Sequence, residues 1–69
     1  MKAISGKQMC KILERHGWYL DRIQSSHHIY KKPGHPISLS VPVHGNKTLK
    51  TGLQRALMKQ AGLSELDLK

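Results

Sequence analysis

From Ile37 to Val43 the chain alternates. Ile37, Leu39, Val41 and Val43 are apolar, while Ser38, Ser40, Pro42 and His44 are not. A period of two predicts a strand with one face buried and one face wet. Pro42 has no N–H to give to a ladder, which predicts a sheet edge there. Two other stretches repeat with a helical period. Met9, Ile12, Leu13 and His16 follow Ser5-Gly6-Lys7-Gln8, which has the form of a capping box, and Gly17 supplies a stop. The spacing predicts a helix over 5–16, with His16 as a polar cap beside the negative end of the dipole. Leu49, Leu53, Ala56, Leu57 and Gln60 predict a second helix over about 50–61, ended by Gly62. Thr48 or Thr51 is its expected cap, and Thr51-Gly52-Leu53-Gln54 is a second possible capping box.

Between these elements, Trp18 to Ile23 is rich in strand formers and too short for another helix. Gln24-Ser25-Ser26 is a polar break, and His27 to Lys32 reads as a further strand. Lys32-Pro33-Gly34-His35 fits a type II turn, with proline at its second position and glycine at its third. His44 to Thr48 is a loop, and Leu63 to Lys69 is a short tail of about one turn. The order is α-β-β-β-α in a single domain, residues 1–69. Three antiparallel strands with one wet face need both helices on the other face to bury their apolar side. The expected fold is therefore an α+β sandwich of the double-stranded-RNA-binding type.

Charge narrows the class of partner. The net charge is +8 with the histidines neutral, and the only acids are Glu14, Asp21, Glu65 and Asp67. From Arg22 to Ser64 there is no acid, while Arg22, Lys31, Lys32, Lys47, Lys50, Arg55 and Lys59 all fall there. A tract of this kind suits a polyanion, because cations that neutralise phosphates release condensed counterions. A surface kept basic only for solubility normally mixes signs. The single cysteine, Cys10, cannot form an internal disulfide and is expected as a small packed thiol. No apolar run approaches the ~20 residues of a membrane-spanning helix, and no signal-peptide core is evident, so a cytoplasmic protein without a membrane role is expected.

The densest chemistry lies in Ser25-Ser26-His27-His28-Ile29-Tyr30-Lys31-Lys32. RNA carries its own nucleophile, a 2′-hydroxyl beside each phosphate, and an imidazole with an ordinary pKa of about 6.5 can take that proton at neutral pH. Lys31, Lys32 and Arg22 are candidates to stabilise charge on the phosphorane. Tyr30 is a candidate to stack on a base or hold water. Ser26, Lys47 and Lys50 complete the expected RNA contacts. His27 and His28 are strand neighbours, so their side chains point to opposite faces and do not share one metal ion or one substrate atom. On the residues alone either can be the reactive one. No second acid–base group is evident, so a slow enzyme is expected. Zinc spacing such as C-x₂₋₄-C with H-x₃₋₅-H is absent, and neither a metal nor another cofactor is expected.

Several of these pieces together resemble HicA toxins of HicA/HicB toxin–antitoxin pairs. They are the helix ending in Gly17-Trp18, the strand into Ser-His-His, the Lys-Pro-Gly turn, the Val-Pro-Val-His strand end and the Gln-Ala-Gly-Leu-Ser close. The resemblance covers nearly the whole chain. It implies a double-stranded-RNA-binding-like fold, ribonuclease activity on messenger RNA and neutralisation by a HicB antitoxin. It also implies that the histidine closing the family's Gly-Ser-x-His motif, here Ser25-Ser26-His27-His28, is catalytic, which gives His28. Ser25 stands where the family commonly has glycine, so a positive φ at that position would be strained. The same charge and fold would also serve a binding module without chemistry. A basic face that only docks an acidic protein would do so too.

Overall fold

A computed structural model describes residues 1–68 of the chain. The elements follow the expected order: α1 (Gly6–Arg15), β1 (Tyr19–Gln24), β2 (His27–Lys31), β3 (Leu39–Pro42), α2 (Thr51–Ala61) and a short 3₁₀ turn (Glu65–Leu68). The three strands form one antiparallel sheet in the order β1-β2-β3. Among the described residues no helix is long and apolar enough to cross a membrane.

Helix α1 begins as its sequence dictates. The Ser5 hydroxyl accepts from the Gln8 backbone N–H at 3.1 Å, and Gln8 Oε1 accepts from the Ser5 N–H at 2.9 Å. Two of the otherwise orphaned donors at the helix start are thereby satisfied. His16 is the C-cap, and Gly17 follows at φ +90°. Helix α2 starts differently from expectation. Lys50 is its N-cap, and no side chain caps it, so neither Thr48 nor Thr51 serves. Gln54 cannot close a box with Thr51 because it is fully buried and engaged elsewhere. Its Nε2 donates to the Lys2 carbonyl at 2.7 Å, and its Oε1 accepts from the Ile4 N–H at 3.2 Å. Gln54 thus ties α2 to the segment that leads into α1. Gly62 ends α2 in the left-handed conformation, as its position predicts.

Register sorts the sheet residues by face. Tyr30 pairs with Leu39, and His28 with Val41. Directly opposed residues share a face, so these four lie together on one side. Tyr30, Leu39 and Val41 join Met9, Cys10, Ile12 and Leu13 of α1 and Leu57 and Met58 of α2 in a single core. Burying a Leu or Val in this way contributes roughly 1.5–3 kcal/mol. The opposite face carries His27, Ile29 and Lys31 of β2, with Gln24 and Arg22 of β1 and Pro42 and Ser40 of β3 beside them. Helix α1 meets the sheet so closely that a Cβ on Gly6 would overlap the Pro42 carbonyl oxygen.

Two strand expectations are corrected. The third strand is shorter than the alternation suggests. Its last pair toward the turn is Tyr30 with Leu39, so Ile37 has no ladder partner and stands 45% exposed. Trp18 precedes β1 instead of belonging to it, and is buried with its ring tilted against His35, centroids 4.8 Å apart. β1 itself is exposed along its whole length, and a bulge between Leu20 and Arg22 interrupts its pairing. The type II turn forms as expected, with the His35 N–H donating to the Lys32 carbonyl at 3.0 Å and Gly34 at φ +78°.

Candidate nucleic-acid interface

The two-residue connection from β1 to β2 positions the histidines. Gln24 pairs with His27, leaving Ser25 and Ser26 as the central residues of a hairpin turn. Ser25 has φ +57° and is the one non-glycine residue with positive φ among those described. Positive φ at the first central position is what a type II′ turn demands, and glycine ordinarily meets that demand. The Ser26 carbonyl then accepts from the Val43 N–H at 2.8 Å, which extends the β2–β3 ladder by one rung beyond the His27–Pro42 pair.

His27 and His28 therefore face opposite ways. His28 shares the helix-packed side with Tyr30, is half-buried, and has Val41 and Ile23 as its cross-strand neighbours. His27 is exposed on the open side, with Gln24 and Pro42 across from it and Arg22 diagonal to it. A substrate as large as RNA can lie along the open side. On the other side Tyr30 and Val41 are buried under the helices, while Ile23, the β1 partner of His28, stands 55% exposed.

The predicted contacts that look like one cluster in the sequence do not converge. Tyr30 is the clearest correction. It is 1% exposed, and its hydroxyl donates to Glu14 Oε2 at 2.7 Å, so no ring face is free for a base. Burial, and the Glu14 carboxylate that accepts its proton, push the Tyr30 phenol far above its ordinary range. Burial likewise pushes the neighbouring Cys10 thiol up, against a hydrogen bond from Tyr30 that acts the other way. Lys31 does share the open side with His27, but it sits at the other end of β2. At about 3.3 Å per residue the two are about 13 Å apart, too far to act on the same phosphate. Lys32 lies beyond the strand, its stem close over Gly17. Arg22 Nη1 meets Asp21 Oδ2 at 2.7 Å, and Lys31 Nζ stands 3.9 Å from the same oxygen. These are exposed ion pairs worth at most about 1 kcal/mol, so a phosphate can compete for both cations.

Further cations come from the loop before α2. A cleft enclosing about 270 Å³ lies between the end of β3 and the start of α2. Lys47, Lys50 and His44 form its polar rim, and Pro42, Leu49 and Leu53 its apolar wall. Pro42 is the cross-strand partner of His27, so the cleft opens at the histidine end of the sheet. Lys47 and Lys50 were legible from charge. His44 and the apolar wall were missed. The available signal was the Val41-Pro42-Val43-His44 run, whose alternation places His44 on the same side as Pro42.

A family model described as HicA toxin of bacterial toxin-antitoxin matches residues 6–63 of the 69-residue chain. No curated protein matches it.

Proposed function

The chain belongs to the HicA toxins of bacterial toxin–antitoxin systems, and we propose that it acts as a metal-independent endoribonuclease that inhibits translation by cleaving messenger RNA in the cytoplasm. The observation that carries this is the exposed His27, whose cross-strand partner Pro42 lines a cleft together with Lys47 and Lys50. The 2′-hydroxyl of the substrate is the nucleophile. A histidine takes its proton, the oxygen attacks the adjacent phosphorus, and the bond to the 5′-oxygen breaks. The products carry a 2′,3′-cyclic phosphate and a 5′-hydroxyl, and DNA, which lacks the nucleophile, survives. General base catalysis of this kind contributes roughly 10²–10⁴-fold.

Between the two neighbouring histidines the motif favours His28 and the geometry favours His27. We take His27, because it is exposed on the open side while His28 is half-buried beside Val41. Arg22, diagonal to His27, Lys47 and Lys50 are the phosphate contacts of the reacting region. Lys31 and Lys32 contact the strand further along, and Ser26 shapes the turn. The antitoxin partner that the family implies is, in this proposal, a HicB protein whose acidic surface covers His27 and the adjacent basic cleft.

The test is cleavage of a labelled RNA in EDTA by the purified chain and by His27→Ala and His28→Ala. His27→Ala is expected to lose cleavage while keeping its fold and RNA binding. His28→Ala is expected to keep cleavage, less whatever its fold loses. The reverse result returns the assignment to His28. Loss of wild-type cleavage in EDTA removes the metal-free mechanism.

A further inference from the structure

Resting on the ribonuclease reading above, we propose that His44 is a second proton-transfer residue, paired with His27 across the scissile phosphate at the mouth of the cleft between β3 and α2. Cleavage through the 2′-hydroxyl needs two proton transfers: one away from the nucleophile, one onto the departing 5′-oxygen. One exposed histidine serves only one of them at a time. The fold supplies a second at the same place, from a part of the chain seventeen residues further on.

The geometry follows from the ladder. His27 pairs with Pro42, and the next rung is the 2.8 Å bond from the Val43 N–H to the Ser26 carbonyl. β3 ends at Pro42, that rung carries the pairing on to Val43, and His44, the next residue, lines the same cleft as Pro42, the cross-strand partner of His27. An extended chain from Pro42 to His44 would set the two imidazoles at the roughly 7–8 Å of diagonal cross-strand neighbours. A phosphate fits between two imidazoles at that spacing, each within hydrogen-bond reach of a different oxygen. Both side chains are exposed. His44 lines the cleft together with Lys47 and Lys50, which supply positive charge to the phosphate, while Leu49 and Leu53 offer an apolar wall to the adjoining base or sugar.

The step balances without any further reactant. One imidazole, neutral at the start, accepts the 2′-hydroxyl proton as the 2′-oxygen bonds to phosphorus. The other, protonated at the start, gives its proton to the 5′-oxygen as the phosphorus–oxygen bond breaks. The first ends protonated and the second neutral, and exchange with water resets both.

The experiment separates proton donation from binding. The cleavage position is first mapped with the wild type on a labelled RNA. The same RNA is then made with sulfur in place of the bridging 5′-oxygen at that position, a leaving group that needs no proton. On ordinary RNA, His27→Ala, His44→Ala and His44→Gln are each expected to lose about 10²-fold or more in rate, the range of one acid–base group. On the sulfur substrate one histidine position, and only one, recovers to within about tenfold of the wild type. Recovery at neither position, recovery at both, or full activity of the His44 variants on ordinary RNA overturns the pair while leaving the ribonuclease reading intact. A wild type that cuts no RNA overturns that reading itself and the pair with it.

Discussion

The Tyr30 hydroxyl donates to Glu14 Oε2 at 2.7 Å and so pins the central strand β2 to the last turns of α1. Tyr30 is a core residue with a polar end, as buried tyrosines usually are when that end finds a partner. Tyr30→Phe is expected to cost about 1–2 kcal/mol, because it strips a carboxylate of its donor, and to leave RNA affinity unchanged. Chemical denaturation and RNA titration of the same variant check the two halves. A fall in affinity without a fall in stability would return Tyr30 to the binding surface.

The same contact predicts the response to alkali. In the fold Tyr30 and Cys10 hold their protons to higher pH than in the unfolded chain, where tyrosine titrates near ~10 and cysteine near ~8.5. Above those values the folded state binds more protons than the unfolded one, so stability falls as pH rises. Thermal melts from neutral pH to about pH 11 should show this decline, and Tyr30→Phe should flatten it. An identical slope in wild type and variant would show that Tyr30 is not its source.

Ser25 carries a left-handed backbone at φ +57°. For a residue with a Cβ this costs roughly 1–2 kcal/mol, part of which glycine returns through its own larger loss of entropy. Ser25→Gly is expected to stabilise the protein by about 1 kcal/mol and to leave the His27–Pro42 register unchanged. The urea midpoint reads the first, and amide exchange at Val43, whose N–H bonds the Ser26 carbonyl on the adjacent rung, reads the second. An unchanged or lower midpoint would mean that the serine turn is unstrained.

Two glycines at helix starts should respond oppositely to the same change. A Cβ on Gly6 meets the Pro42 carbonyl, whereas one on Gly52 meets nothing within 4 Å. Gly6→Ala is expected to cost about 1–3 kcal/mol by forcing α1 off β3. Gly52→Ala is expected to gain up to about 1 kcal/mol from helix propensity. Equal effects would show that α1 does not sit hard against the strand.

RNA binding should be read against salt, in a His27→Ala background that leaves the RNA intact. Each phosphate contact contributes about −0.7 to −0.9 log units per log unit of salt. Lys47→Ala and Lys50→Ala should each reduce the slope by about one contact across all sequences. A flat wild-type slope would favour a surface that docks an acidic protein.

The sequence by itself determined the elements and their faces. The Ser5–Gln8 box, the period of Met9, Ile12 and Leu13, the Pro33-Gly34 turn and the Leu39–Val41 alternation each depend on neighbours within a few residues, and each formed as the local physics requires. Local pattern also put His27 and His28 on opposite sides, because a strand has a period of two. It could not say which side was open. That depended on where α1 packs, which the close approach of Gly6 to Pro42 and the Tyr30–Glu14 bond fix across long separations.

Tertiary structure decided which residues the candidate site brings together. The run from Ser25 to Lys32 looks compact as a string, but a strand spreads it over more than 10 Å and buries Tyr30 on the way. His44, Lys47 and Lys50, distant in sequence, come to the histidine end of the sheet through the Ser26–Val43 rung and the loop into α2. The capping of α2 failed for the same reason. Gln54 was claimed by the backbone of Lys2 and Ile4, about fifty residues away, and a partner at that distance leaves no trace in local spacing. Period and propensity report what a segment offers. Which offers are taken up is settled by packing between segments, and that is where the two histidines acquired different surroundings.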